Sequence, residues 1–213
     1  VQSIVLIGGY GDGLVAAQII ADMRSAGCSV SLLGFLNDAL KVGDTINCWP
    51  VLGKIKDWEG LSEDIQFHIC LHKVGMMDAR IKLIESLCIP ESRLISLVHP
   101  AACIADDVIV GKGSMICQHV TCQPGSVIGN ITTIRAGANV GHDAKLGNYC
   151  YLGPNASLCG RSEVKTGAHV GPNAVVVDAV VLEQFSIAGA GAVIFKSTPK
   201  YSTWIGNPAR RAK

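Results

Sequence analysis

The sequence predicts two folds in series. Residues 1–98 read as a small parallel α/β domain of Rossmann-like type, and residues 99–213 as a parallel β-helix of hexapeptide repeats with a C-terminal tail. Three observations carry this. Apolar residues recur without a break at every sixth position of the second half. Short apolar runs alternate with helical periodicity in the first half. Charge thins at the boundary, with 19 charged residues in 1–100 but 11 in 101–195.

In the first half, residues 1–7 form an apolar strand that runs into Gly8-Gly9-Tyr10-Gly11-Asp12-Gly13. Residues 14–26 place Val15, Ile19, Ile20 and Met23 on one helical face, and Gly27 ends the helix. A second strand is expected at 29–33, followed by Gly34-Phe35-Leu36-Asn37-Asp38. Residues 67–71 make a third strand, and 78–87 a second helix carrying Ile81, Leu83, Ile84 and Leu87. Strands alternating with helices imply a parallel sheet. A glycine-rich turn between first strand and helix suits either backbone contact with a phosphate or simply a tight connection.

From Ile104, a step of six reaches Ile194 through sixteen apolar positions. At 49% apolar residues that happens by chance in roughly one phase in 10⁵, so the period is structural. Two residues earlier runs a second ladder, Ala102 to Ala192, always small or β-branched. Glycine follows the apolar position at Gly111, Gly129, Gly141, Gly147, Gly153, Gly171 and Gly189, where a left-handed turn residue is expected. A helix of 3.6 residues per turn cannot use this period, whereas a short strand plus a turn can. Sixteen units at three per coil make a little over five coils.

The remaining composition narrows the function classes. A net charge of +1 does not suggest nucleic acid as a partner. No charge-free apolar run approaches the ~18 residues of a membrane span, and residues 1–8 lack the basic n-region of a secretory leader. Nine cysteines without a CxxC pair, several in apolar runs (Cys70, Cys88, Cys122, Cys150), read as reduced, buried thiols of a cytoplasmic protein. Cys117, His119 and Cys122 fit no common zinc spacing, so no metal is expected.

His119, His142 and His169 fall in three different phases of the repeat, and no H-x4-H pair could hold zinc between coils. That separates the chain from the carbonic anhydrases that use this prism. His142 stands out because Gly141-His142-Asp143 puts an imidazole beside a carboxylate at a turn, as a general base or as an ordinary surface histidine. The last eighteen residues carry Lys196, Lys200, Arg210, Arg211 and Lys213 and no acid, a basic tail suited to CoA phosphates or to solubility alone.

Several motifs together resemble one family: the glycine-rich loop, His99-Pro100-Ala101-Ala102 at the prism entry, the uninterrupted repeat, His142-Asp143, and Gly206-Asn207-Pro208-Ala209-Arg210. The chain is similar to the nucleotide-sugar N-acetyltransferases of bacterial bacillosamine, perosamine and related 4-amino-sugar pathways, with the sialic acid O-acetyltransferases. The resemblance implies a left-handed β-helix, a homotrimer, and acetyl-CoA in the groove between neighbouring prisms. It implies that His142 accepts the proton, Asp143 tunes it, and the Gly160 N–H meets the oxyanion. Tyr151, Pro172, Ala190 and Arg210 are implied at the cofactor. Tyr10, Gly11 and Asp12 match a phosphate-binding loop, and Asn37 and Asp38 a pair that holds the nucleoside. Asp12 and Tyr151 stand where relatives commonly have histidine, and Asn37 replaces an aspartate.

The activity so implied is acetyl-CoA-dependent N-acetylation of a nucleotide-activated 4-amino-4,6-dideoxy sugar, with His142 as base and no acyl-enzyme. O-acetylation of a sialic acid or another sugar hydroxyl is the alternative. A non-catalytic trimeric scaffold or nucleotide-sugar sensor is the second.

Overall fold

The computed structural model describes residues 1–212; Lys213, the last of the basic-tail residues, lies outside them. The α/β unit contains β1 (Gln2–Gly8), α1 (Asp12–Ser25), β2 (Val30–Leu36), β3 (Thr45–Ile46), β4 (Trp49–Gly53), β5 (Gln66–Cys70) and α2 (Met77–Ser86). Its sheet runs β3-β4-β2-β1-β5, parallel except for the β3–β4 hairpin. The hairpin was not apparent from the sequence, since its strands are short and Pro50 sits within one. β2 also extends past the expected end at residue 33, because Phe35 and Leu36 are buried and pair with β1 and β4.

Both faces of β1 are covered, which is why it reads as a continuous apolar run. Ile4 and Leu6 pack in the core that contains α1 and the prism interior, while Val5 and Ile7 pack with Phe67, Trp58 and Ile84 on the other side. One apolar cluster therefore runs from the α/β unit into the repeat domain.

The second half is a left-handed parallel β-helix of two-residue strands, from Cys103–Ile104 to Val193–Ile194. All sixteen positions of the apolar ladder are the second residues of these strands, and fourteen of them are buried. Each strand pairs in register with the one eighteen residues later, as Ile104 with Cys122 and Cys122 with Val140. Leu97–Val98, just ahead of the expected domain boundary, already pairs with Met115–Ile116. At the far end Thr203–Ile205 adds to the same face, and Arg210–Arg211 turns back antiparallel upon it, covering the open edge.

The corners differ from expectation in one respect. The left-handed residue lies three positions after the apolar one, at every sixth residue from Gly113 to Gly191, Asp143 (φ 58°) and Asn155 (φ 55°) among them. The glycines directly after the apolar position serve close approach instead. A Cβ at Gly153 would stand 2.7 Å from Pro172 N and 2.8 Å from Gly171 C, both backbone of the next coil. The thiols differ too: Cys117, Cys122 and Cys150 are buried, but Cys88 is exposed.

Gly153→Ala is expected to lower Tm by about 3–10 °C, because fixed backbone cannot move aside. Gly60→Ala, with open space and no left-handed φ, should change it by less than about 2 °C in the same thermal melt. Equal effects would show that coil spacing does not demand glycine.

Candidate active site

Two loci carry the polar chemistry. The first is a crevice of about 340 Å³ outside the carboxyl ends of β1, β2 and β5. β1 connects outward to β2 on one side and has β5 on the other, so the crevice lies at the switch point where open parallel sheets bind ligands. Gly8 (φ 138°) and Gly9 leave no room for a side chain: a Cβ would meet Cys70 O at 2.6 Å and Asn37 Nδ2 at 2.6 Å respectively. Tyr10 lines the crevice and is exposed.

The acid–amide pair after β2 divides its labour. Asn37 donates from Nδ2 to Gly8 O (2.8 Å) and accepts at Oδ1 from Ala39 N (2.9 Å) and Leu40 N (3.1 Å). Its amide thus frames the loop while the residue lines the crevice, where one Nδ2–H is left over. Asp38 accepts from Ile55 N at one carboxylate oxygen (2.9 Å), leaving the other available.

Gly11 (φ 79°) is the N-cap of α1, and its carbonyl accepts from Leu14 N and Val15 N. Asp12 does not face the crevice as expected. Its carboxylate pairs with Arg135 Nη1 of the prism at 2.6 Å. Burial raises its pKa, and the Arg135 guanidinium opposes that rise.

The second locus is a prism corner. A turn closed by Ala144 N to Gly141 O (3.2 Å) presents His142 and Asp143 side by side, with Asp143 at the left-handed position. His142 Nδ1 and Asp143 Oδ2 are 2.9 Å apart, and the imidazole is half exposed. The carboxylate favours the Nδ1–H tautomer, which leaves Nε2 as acceptor. One coil on, Gly160 has no side chain because a Cβ would collide with His142 Nε2 and stand 2.9 Å from Asp178 Oδ1. The Gly160 N–H has no acceptor among the described residues. Arg161 Nη2 holds Asp178 Oδ2 at 2.6 Å.

The corner and the crevice lie on opposite sides of one chain. The α/β unit packs on the face that carries Tyr151–Leu152 and His169–Val170, whereas His142 sits between the other two faces. Tyr151 belongs to that contact. Its ring stacks on His72 (4.5 Å between centroids) and on His169 (4.7 Å), contacts that position matching does not foresee. Pro172 and Ala190 lie eighteen residues apart on a third, exposed corner. Arg210 borders a groove of about 480 Å³ with Lys196, Phe195 and Trp204. Lys196 continues the column His142, Gly160, Asp178, a column that eighteen-residue arithmetic makes legible.

Comparison with known proteins gives likenesses over the repeat and over the whole fold. The profile of the bacterial transferase hexapeptide family (six repeats) matches residues 125–160. Residues 125–160 thus carry the repeat of that family, inside the longer ladder that runs from Ile104 to Ile194. The acetyltransferase domain of PglB from Neisseria gonorrhoeae FA1090, solved with acetyl coenzyme A, superposes with a TM-score of 0.85 at 28% identity, over 99% of this chain and 98% of that one. PerB from Caulobacter crescentus, solved with CoA and GDP-perosamine, gives 0.83 at 28% identity, over 99% and 97%. An acyl-[acyl-carrier-protein]–UDP-N-acetylglucosamine O-acyltransferase of Pseudomonas paraeruginosa is 33% identical over 109 residues. That match takes in 48% of this hexapeptide-repeat chain and spans 42% of the O-acyltransferase.

Three imidazoles of the α/β unit and its contact are held neutral by burial: His68 at about 4, His72 at about 3 and His169 at about 4, against 6.5 in water. Unfolding releases them to bind protons below pH ~6.5, so the unfolded chain gains protons first as pH falls. Their contribution is complete above pH ~6.5 and lost progressively toward pH ~4. Urea midpoints should therefore fall between pH 7 and 5, and His169→Phe should remove about a third of that dependence. An unchanged pH slope in His169→Phe would contradict a neutral His169.

Proposed function

We propose that this chain is an acetyl-CoA-dependent N-acetyltransferase acting on the amino group of a nucleotide-activated 4-amino-4,6-dideoxy sugar. The observation that carries the reading is His142, held by Asp143, with its free Nε2 beside the unpartnered N–H of Gly160. Full-length similarity to PglB and PerB structures that contain acetyl-CoA, or CoA with GDP-perosamine, supports the choice of both substrates.

The chemistry follows from those groups. A sugar amine must be neutral to attack. As its nitrogen bonds to the thioester carbonyl carbon, His142 Nε2 takes the amine proton and Asp143 stabilises the imidazolium. The Gly160 N–H donates to the carbonyl oxygen as charge develops on it. Collapse breaks the C–S bond, and the imidazolium proton leaves with the CoA thiolate. No acyl-enzyme is needed. A scaffold or sensor would have no use for this constellation.

The column from His142 through Gly160 and Asp178 to Lys196 spans three coil spacings, about 14 Å, toward Arg210. An extended pantetheine arm fits along it, with the CoA phosphates at Lys196 and Arg210. Because crevice and His142 lie on opposite sides of one chain, an amine presented by the crevice reaches the His142 of a neighbouring copy. A homotrimer closes that arrangement, with the Pro172–Ala190 corner of one copy facing the His142 column of the next. Asp38 is the acceptor available to the nucleoside.

Thiol release from acetyl-CoA with UDP-, GDP- and dTDP-linked 4-amino sugars, beside free sialic acid, tests the reading. Turnover with sialic acid alone would replace N- by O-acetylation. His142→Asn should lower kcat at least ~10²-fold with little change in nucleotide-sugar affinity; full activity would remove His142 from the mechanism. Sedimentation should give about 67 kDa, three copies of the 22.4 kDa chain, and a monomer that turns over would refute the shared site.

A further inference from the structure

The crevice contains an arginine that forms no ion pair among the described residues. Arg80 lies in the first turn of α2 and lines the cavity. Its side chain makes no ion pair or hydrogen bond among the described residues, and its Nε is buried without an acceptor. His72, just past the end of β5, lines the same cavity and also has a buried, unpartnered Nε2. The neighbouring polar groups are committed: Asn37 to the Gly8–Leu40 loop, and Lys54 to the carbonyls of Asp38 and Leu40. Two orphaned nitrogens in one crevice, one of them a permanent cation, call for an anionic ligand.

We propose that Arg80, assisted by His72, is the clamp that holds the diphosphate of the nucleotide sugar. The inference rests on the N-acetyltransferase reading and deepens it. A guanidinium offers a planar fork of donors that matches two phosphate oxygens, and among the described residues it is in no ion pair. His72 is kept neutral by burial, so it serves as an N–H donor and not as a second charge. The glycine loop brings no charge to the crevice, since its one acid, Asp12, is drawn to Arg135. Asp38 follows β2 and His72 follows β5, two strand spacings or about 9.6 Å across the sheet, and Arg80 lines the same crevice from α2. That span suits a nucleoside at Asp38 and its phosphates at Arg80.

Calorimetry with UDP, GDP and dTDP, each beside its nucleoside, tests this. For the diphosphate that binds the wild-type chain most tightly, Arg80→Ala should weaken binding at least ~10-fold while the nucleoside changes less than ~2-fold. Arg80→Lys should recover part of the loss. An unchanged urea midpoint and an unchanged KM for acetyl-CoA show that the variant is intact; if Arg80→Ala folds poorly, Arg80→Gln must give the same split. Equal loss for nucleoside and diphosphate, or no loss for either, overturns the clamp and leaves the N-acetyltransferase reading standing. Arg80-dependent binding of sialic acid, with no diphosphate bound by the wild type, overturns both.

Discussion

Everything in the second half depends on one hydrogen-bonded spacing, that of each coil on the coil eighteen residues later. The register is kept by backbone pairs such as Gly141 N to Leu158 O at 2.8 Å, repeated around three faces. At about 4.8 Å between coils, a Cβ at Gly141 or Gly153 would strike the backbone of the next coil, hence glycine at those turns. The same spacing stacks every eighteenth residue in a column. His142, Gly160, Asp178 and Lys196 are neighbours for that reason alone, though they are far apart in the chain.

The corner geometry also does chemical work. Its left-handed residue is Asp143, so the carboxylate turns beside the imidazole that precedes it. The missing Cβ at Gly160 leaves the far side of His142 open and its own N–H unspent. The same turn that elsewhere carries Asn155 here sets an imidazole beside a carboxylate, with an unspent N–H one coil away.

The α/β unit is tied to the prism by apolar packing, by the Asp12–Arg135 and Asp22–His99 contacts, and by the His72–Tyr151–His169 stack. These hold its crevice against the face remote from His142. Rigid placement on the wrong side of its own prism makes sense if the crevice serves another copy. Asp12 shows the cost to simple motif reading: an acid in a glycine-rich loop is drawn away from the crevice by a cation from a distant repeat.

Taken alone, the sequence determined the repeat, since a six-residue period admits a stacked strand and turn and no helix. It also determined the βα alternation and the His142–Asp143 pair, because these are local in the chain. Position matching does not show what else these side chains hold: Asn37 also braces Gly8, Tyr151 stacks on the His72 and His169 rings, and Asp12 pairs with Arg135. Arg80 and the β3–β4 hairpin gave no signal at all. Only the tertiary structure decided which polar groups find partners within the chain and which are left for a ligand, because hydrogen bonds between distant segments leave no period to read.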